Sequence, residues 1–133
     1  MKTTVLDASA LLAMFFGESG MQQVRDLFRK AAETDKRLLI SAVNWAEVLY
    51  KVERKQGRQG LETVQRFERT MPLDVVPLDR ELAESAAHLK AMHNLGLADT
   101  FAAALAKSRK AELVTADTEF KTLEKEMRIA WLP

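Results

Sequence analysis

The chain has no cysteine, which excludes disulfides and thiolate-bound metals and fits a reducing, cytoplasmic compartment. No apolar run approaches the roughly 20 residues that cross a bilayer, so no membrane role is expected. The opening Met1-Lys2-Thr3-Thr4 lacks the apolar stretch and small-residue cleavage site of a signal peptide. Charge of one sign is scarcely in excess, at a formal net +1. Any binding of a polyanion must therefore come from a local basic patch. Histidine is almost absent, and the two present, His88 and His93, are five residues apart. That spacing cannot put both on one helix face as metal ligands, so zinc has no ligand set here. Only five glycines and three prolines punctuate the sequence, and there is no repeat, linker or low-complexity tract.

What remains is a chain of 133 residues, 47% of them hydrophobic. That is enough for one domain with a core of its own, spanning residues 1–133. Five short apolar runs read as strands, at 3–6, 37–40, 74–78, 112–115 and 128–132. They lack clean alternation, as strands covered on both faces do. Helical periodicity fills the gaps. Met21, Val24, Leu27, Phe28 and Ala31 mark one helix face, and residues 42–56 form a second helix. Leu61, Val64 and Phe67 mark a third, with Gly57 and Gly60 breaking the pattern between them. Leu82, Ala86, Leu89 and Met92 mark a fourth, opened by Asp79 as N-cap. The segment 99–110 has almost no polar face and is expected in the centre of the molecule. Strands alternating with helices predict an α/β class, a three-layer α/β/α sandwich around a mostly parallel five-stranded sheet.

Four acids stand out by position. Asp7 follows the first strand and Asp117 the fourth, at the sheet edge where sites form in open parallel sheets. Glu47 has Val43 and Tyr50 as helical neighbours, company in which an unpaired carboxylate costs free energy. Asp99 opens the buried alanine-rich helix. No Lys or Arg precedes Glu47 or Asp99 closely enough to pair, and four acids without a local counter-charge predict a divalent cation. Hard oxygen donors suit Mg²⁺ or Mn²⁺. Bland alternatives stay open: Asp7, Asp99 and Asp117 as helix caps or turn residues, and Glu47 paired with a distant Arg. Lys51, Arg54, Lys55 and Arg58 lie at three- and four-residue spacing on the helix carrying Glu47. They read either as a basic stripe for the phosphates of a polyanion or as a solvated face balanced by Glu53. Trp45 and Trp131 read as core or helix–sheet contacts. The run Ala10 to Phe16 is apolar around its circumference, so part of it should face outward toward a partner.

Four segments resemble the motifs of the PIN-domain nucleases, specifically VapC-type toxins of toxin–antitoxin pairs. Val5-Leu6-Asp7-Ala8-Ser9-Ala10-Leu11-Leu12-Ala13 is similar to the first and Ser41-Ala42-Val43-Asn44-Trp45-Ala46-Glu47-Val48 to the second. Leu97-Ala98-Asp99-Thr100-Phe101-Ala102-Ala103-Ala104 is similar to the third, with Thr100 where many relatives carry a small residue such as alanine. Val114-Thr115-Ala116-Asp117 is similar to the fourth. The resemblance implies a Mg²⁺- or Mn²⁺-dependent endoribonuclease that cleaves RNA with metal-activated water. It implies an antitoxin protein and a second copy of the chain, as a homodimer, for partners. Asp7, Asp99 and Asp117 would be metal ligands. Glu47 would complete the acidic centre, with hydroxyls of Ser9 and Thr115 beside the acids. The competing readings are a housekeeping PIN nuclease without an antitoxin and a non-catalytic binding module. An aspartyl phosphatase fits poorly, because Ser9 stands where such enzymes place a second acid. A receiver-like signalling domain would need a lysine at a late strand end, where this chain has Thr115-Ala116-Asp117.

Overall fold

A computed structural model describes residues 2–133. Its elements run β1 (Thr4–Leu6), α1 (Ala8–Phe15), α2 (Met21–Glu33), β2 (Leu38–Ser41), α3 (Ala42–Thr70) and β3 (Leu73–Val76). These are followed by α4 (Arg80–Met92), α5 (Leu97–Ser108), β4 (Glu112–Thr115), a 3₁₀ segment (Thr118–Leu123) and β5 (Ile129–Trp131). All five expected strands form, with ends displaced by a residue or two. Pro77, which has no N–H to give a ladder, directly follows β3 and ends it short of the expected Leu78.

The strands make one sheet in the order β3-β2-β1-β4-β5, every pairing parallel. Successive side chains in a strand point to opposite faces, and here each face has its own core. Val5, Leu39 and Leu113 pack with α4 and α5, while Leu6, Leu38, Ile40 and Val114 pack with α1, α2 and α3. This is the expected three-layer α/β/α sandwich, and it explains why the strands read as continuous apolar runs.

Gly57 interrupts α3, with φ +72° and ψ −167°. Only glycine adopts that backbone without strain, so the two helices read from the sequence meet there at a kink. Gly60, just past it, has no room for a side chain, since a Cβ would stand 2.5 Å from that of Gln56.

α5 lies in the core as its composition demands. Ala102, Ala103 and Ala106 have no exposed surface, and their small side chains let the helix lie close on the sheet. Ala103→Leu should therefore overpack this layer and destabilise the protein by about 1–3 kcal/mol. Urea unfolding measures it, and an unchanged midpoint would mean that the layer has slack.

α1 shows less outward apolar surface than its sequence suggests. Ala8, Ala10, Leu11, Leu12 and Ala13 are buried, and only Met14, Phe15 and Phe16 are half-exposed. The reason is that both α2 and α3 lie against it. Phe15 and Phe28 each meet Phe67 edge-on, at ring distances of 5.2 and 5.0 Å. Trp45 packs on this core as expected, but Trp131 lies on the edge strand β5 and is exposed. His93 has a structural place, bonding Glu126 through Nε2 at 2.9 Å and lying 3.3 Å from the Thr122 hydroxyl. Among the described residues no helix is long and apolar enough to cross a membrane.

Candidate metal centre

The sheet order changes direction at β1, with β2 on one side and β4 on the other. Sites in open parallel sheets form outside the strand ends at such a switch. Leu6 is in register with Val114, so the residues just beyond, Asp7 and Thr115, stand side by side.

Asp7 is buried and fully engaged. One carboxylate oxygen accepts from the Ala10 amide at 3.0 Å, capping α1, and from the Ser9 hydroxyl at 2.7 Å. The other accepts from the Thr115 hydroxyl at 2.6 Å. Thr115 Oγ1 in turn accepts from the Asp117 amide at 2.9 Å, and Ser9 Oγ from the Ala116 amide at 2.9 Å. The two hydroxyls thus stitch the ends of β1 and β4 together. Burial raises the Asp7 carboxyl to about 6, against the pull of these hydrogen bonds.

Asp99 does not open its helix. α5 begins at Leu97 behind Gly96, so Asp99 sits in the first turn with no capping bond to make. Its carboxylate comes together with those of Asp117 and Glu119, ligand oxygens within 4.8 Å of one another. Asp117 also caps the 3₁₀ segment through the Glu119 amide at 2.9 Å. Burial, then the negative charges of Asp117 and Asp7, raise the Asp99 carboxyl to about 8. Glu119 was not among the residues singled out from the sequence, where its signal is the two-residue spacing from Asp117. Asp7, expected with Asp99 and Asp117 as a ligand, lies near enough for its charge to act on Asp99, while the three carboxylates that meet within 4.8 Å are those of Asp99, Asp117 and Glu119.

Glu47 lines a cleft of about 520 Å³ together with Asp99, Asp117 and Glu119. The expectation that it has no base nearby is corrected: Lys51, one turn on, donates to it at 2.8 Å. The other members of the basic stripe also have partners within the chain. Arg54 lies over the Tyr50 ring at 4.9 Å and Lys55 over the Phe16 ring at 4.3 Å. Arg58, beyond the Gly57 kink, pairs with Glu62 at 3.4 Å. Asn44, fully buried, joins the two helices of the site by donating from Nδ2 to the Ala98 carbonyl at 3.0 Å. Its amide is held by the α3 cap Ser41 at 3.1 Å, so the turn carrying Asp99 is fixed against the start of α3.

The fold and this edge define an α/β protein whose parallel sheet gathers carboxylates from four separate segments at one switch point. A family model described as the PIN domain matches residues 4–126, and the chain belongs to that family. Solved structures share the fold over nearly the whole length. VapBC2 from Rickettsia felis, bound to a DNA fragment from its promoter, has a TM-score of 0.79 at 17% identity, covering 98% of this chain and 99% of that one. DNA-bound VapBC from Salmonella typhimurium gives 0.77 at 22% identity, covering 98% of both chains. VapC20 from Mycobacterium tuberculosis, a toxin that cleaves the sarcin–ricin loop, gives 0.73 at 15% identity, covering 90% of this chain and 94% of that one. No curated protein matches the sequence.

Proposed function

We propose that this protein is a Mg²⁺- or Mn²⁺-dependent endoribonuclease and the toxin of a VapBC-type toxin–antitoxin pair. The observation that carries the reading is the meeting of Asp99, Asp117 and Glu119 carboxylates, with Asp7 behind them and Glu47 in the same cleft. Such a group is costly for a protein to hold ionised without a counter-charge. Its donors are all hard oxygens, which fit Mg²⁺ or Mn²⁺ and offer zinc neither His nor Cys. PIN-family membership and toxin–antitoxin proteins among the fold neighbours support the same conclusion.

Asp99, Asp117 and Glu119 would hold the ion. When bound, it supplies Lewis-acid stabilisation of phosphoryl charge and lowers the pKa of water. The remaining steps belong to the chain. Asp7, fixed by Ser9 and Thr115, sets the field and geometry at the end of β1. Glu47, oriented by Lys51, accepts the proton of the attacking water in the cleft. The Lys51 ammonium lies close enough to Asp99 to feel its charge, so it also offsets part of the negative field that an approaching phosphate meets. An antitoxin and a second copy of the chain are the proposed partners, and the cytoplasm is the proposed location.

In-line attack by water needs no ribose 2′-hydroxyl, so total RNA incubated with Mn²⁺ should yield fragments with 5′-phosphate and 3′-hydroxyl ends. EDTA should abolish the cleavage. Fragments ending in 2′,3′-cyclic phosphate would rule the mechanism out, and cleavage unaffected by EDTA would remove the metal from it.

A further inference from the structure

Among the described residues five large hydrophobic side chains are exposed, and two of them, Tyr50 and Leu97, line the acidic cleft. Tyr50 is 44% and Leu97 59% exposed. Their placement is not accidental to one element, since Tyr50 comes from α3 and Leu97 from the first turn of α5. Val43 and Ala46 also line it. The cleft therefore combines carboxylates with aromatic and aliphatic side chains.

Tyr50 lies three residues from Glu47, on the same face of α3 and about 4.5 Å further along its axis. Arg54 lies against its ring, a cation–π contact that orders the side chain and puts a positive charge beside it. A nucleotide has the complementary pair of parts: a phosphate for the metal-binding end and a flat apolar base for the ring. The base must be unpaired to present its face, because a duplex buries it in the stack. A cleft of about 520 Å³ falls within the range of small-ligand sites, which spans about 300–1,000 Å³.

We infer that Tyr50, with Leu97 beside it in the cleft and Arg54 ordering its ring, is a stacking platform for one unpaired base of the RNA strand next to the phosphate being cut. The inference rests on the nuclease reading and adds to it a residue that selects unpaired RNA. Stacking tolerates any base, since each has a π-face, so Tyr50 chooses strand state rather than sequence.

The test is fluorescence anisotropy in Ca²⁺ with two labelled probes verified intact: ten-nucleotide oligoadenylate and a ribose–phosphate strand of equal length lacking bases. Tyr50→Ala should weaken oligoadenylate binding by about 5- to 150-fold and leave the abasic strand unaffected. Tyr50→Phe and Tyr50→Trp should stay within about twofold of the parent, because both keep a ring. Equal oligoadenylate affinity in Tyr50→Ala and parent overturns the stacking role, as does equal loss on both probes. Sedimentation separates the rival occupant: if Tyr50→Ala alone breaks a dimer of the parent, a second copy covers the ring and the proposal falls. A parent that binds neither probe and cuts no RNA sinks the nuclease reading and this inference together. A parent that cuts RNA while Tyr50→Ala binds normally sinks this inference alone.

Discussion

Asp99→Asn is expected to lose metal-dependent RNA cleavage by about 10³-fold or more, and yet to unfold at a higher temperature than the parent in EDTA at pH 8. Both effects follow from one feature. The Asp99 carboxyl is raised to about 8 by burial and by the charges of Asp117 and Asp7. Without a cation, the folded state at pH 8 must hold that charge against its neighbours, whereas the unfolded chain holds it freely. Asparagine keeps the shape and removes the repulsion. No capping bond is lost at the helix end, because Gly96 is the N-cap. The favourable interaction of a carboxylate with the first turn, about 0.3–1 kcal/mol, opposes the gain only in part. The stability gap should shrink as the pH falls and close below the unfolded-state pKa of 3.8, where Asp99 is protonated in both states. A variant less stable than the parent at pH 8 would show that the carboxylate serves the helix. Retained cleavage in a folded variant would remove Asp99 from the chemistry.

The contrast with Asp7 shows how far sequence can separate a cap from a ligand. Asp7 reads from the sequence as cap or site, and the structure shows the cap, with the other carboxylate oxygen accepting from the Thr115 hydroxyl beside the acidic cluster. The two bonds use different oxygens of one carboxylate, which no spacing rule reveals. Glu119 escaped for a related reason. It is exposed, on a short 3₁₀ segment, and gains meaning only when β4 and α5 converge. The Lys51 partner of Glu47 is legible, since i and i+4 are neighbours on any helix, but the same spacing also describes a basic stripe running away from the acid along that helix. Asn44 was inside a recognised motif without a role, because its partner is a carbonyl 54 residues away.

The fold was more legible than the site. Leu38-Leu39-Ile40 reads as a strand covered on both faces because its side chains feed two cores. The alternation αβ then fixes parallel pairing, and an almost wholly apolar α5 can only lie inside. For helix α1 the sequence shows that part of the run faces outward, as Met14, Phe15 and Phe16 do, but periodicity describes one helix at a time and leaves the extent of cover open. The apolar circumference of Ala10 to Phe16 predicts that it must be covered, without saying that two helices of the same chain would do most of it.

Stability of the metal-free protein should fall as pH rises from about 4 to 8, and Mn²⁺ should reverse the trend. Asp7 and Asp99 both have folded-state pKa values above their unfolded value of 3.8. The folded protein therefore binds more protons than the unfolded chain across this window. By linkage, the slope of unfolding free energy against pH is negative there. For the buried Asp7, the rise to about 6 corresponds to at most about 3 kcal/mol, since one pKa unit is worth 1.36 kcal/mol. That contribution is complete by pH 7, and Asp99 extends the decline to about pH 8. A cation competes with the same protons, so its affinity should strengthen with pH over the same range. At a hundredfold excess over its dissociation constant it should add about 2.7 kcal/mol, enough to cancel most of the loss from Asp7. Calorimetric titration of Mn²⁺ at pH 7, repeated in buffers of different ionisation enthalpy, should count about one proton released per ion, chiefly from Asp99. The count should vanish at pH 9, where Asp99 is already ionised. Affinity independent of pH between 5 and 8, with no proton released at 7, would mean that the ion binds away from Asp99, and the site would have to be sought elsewhere on the molecule.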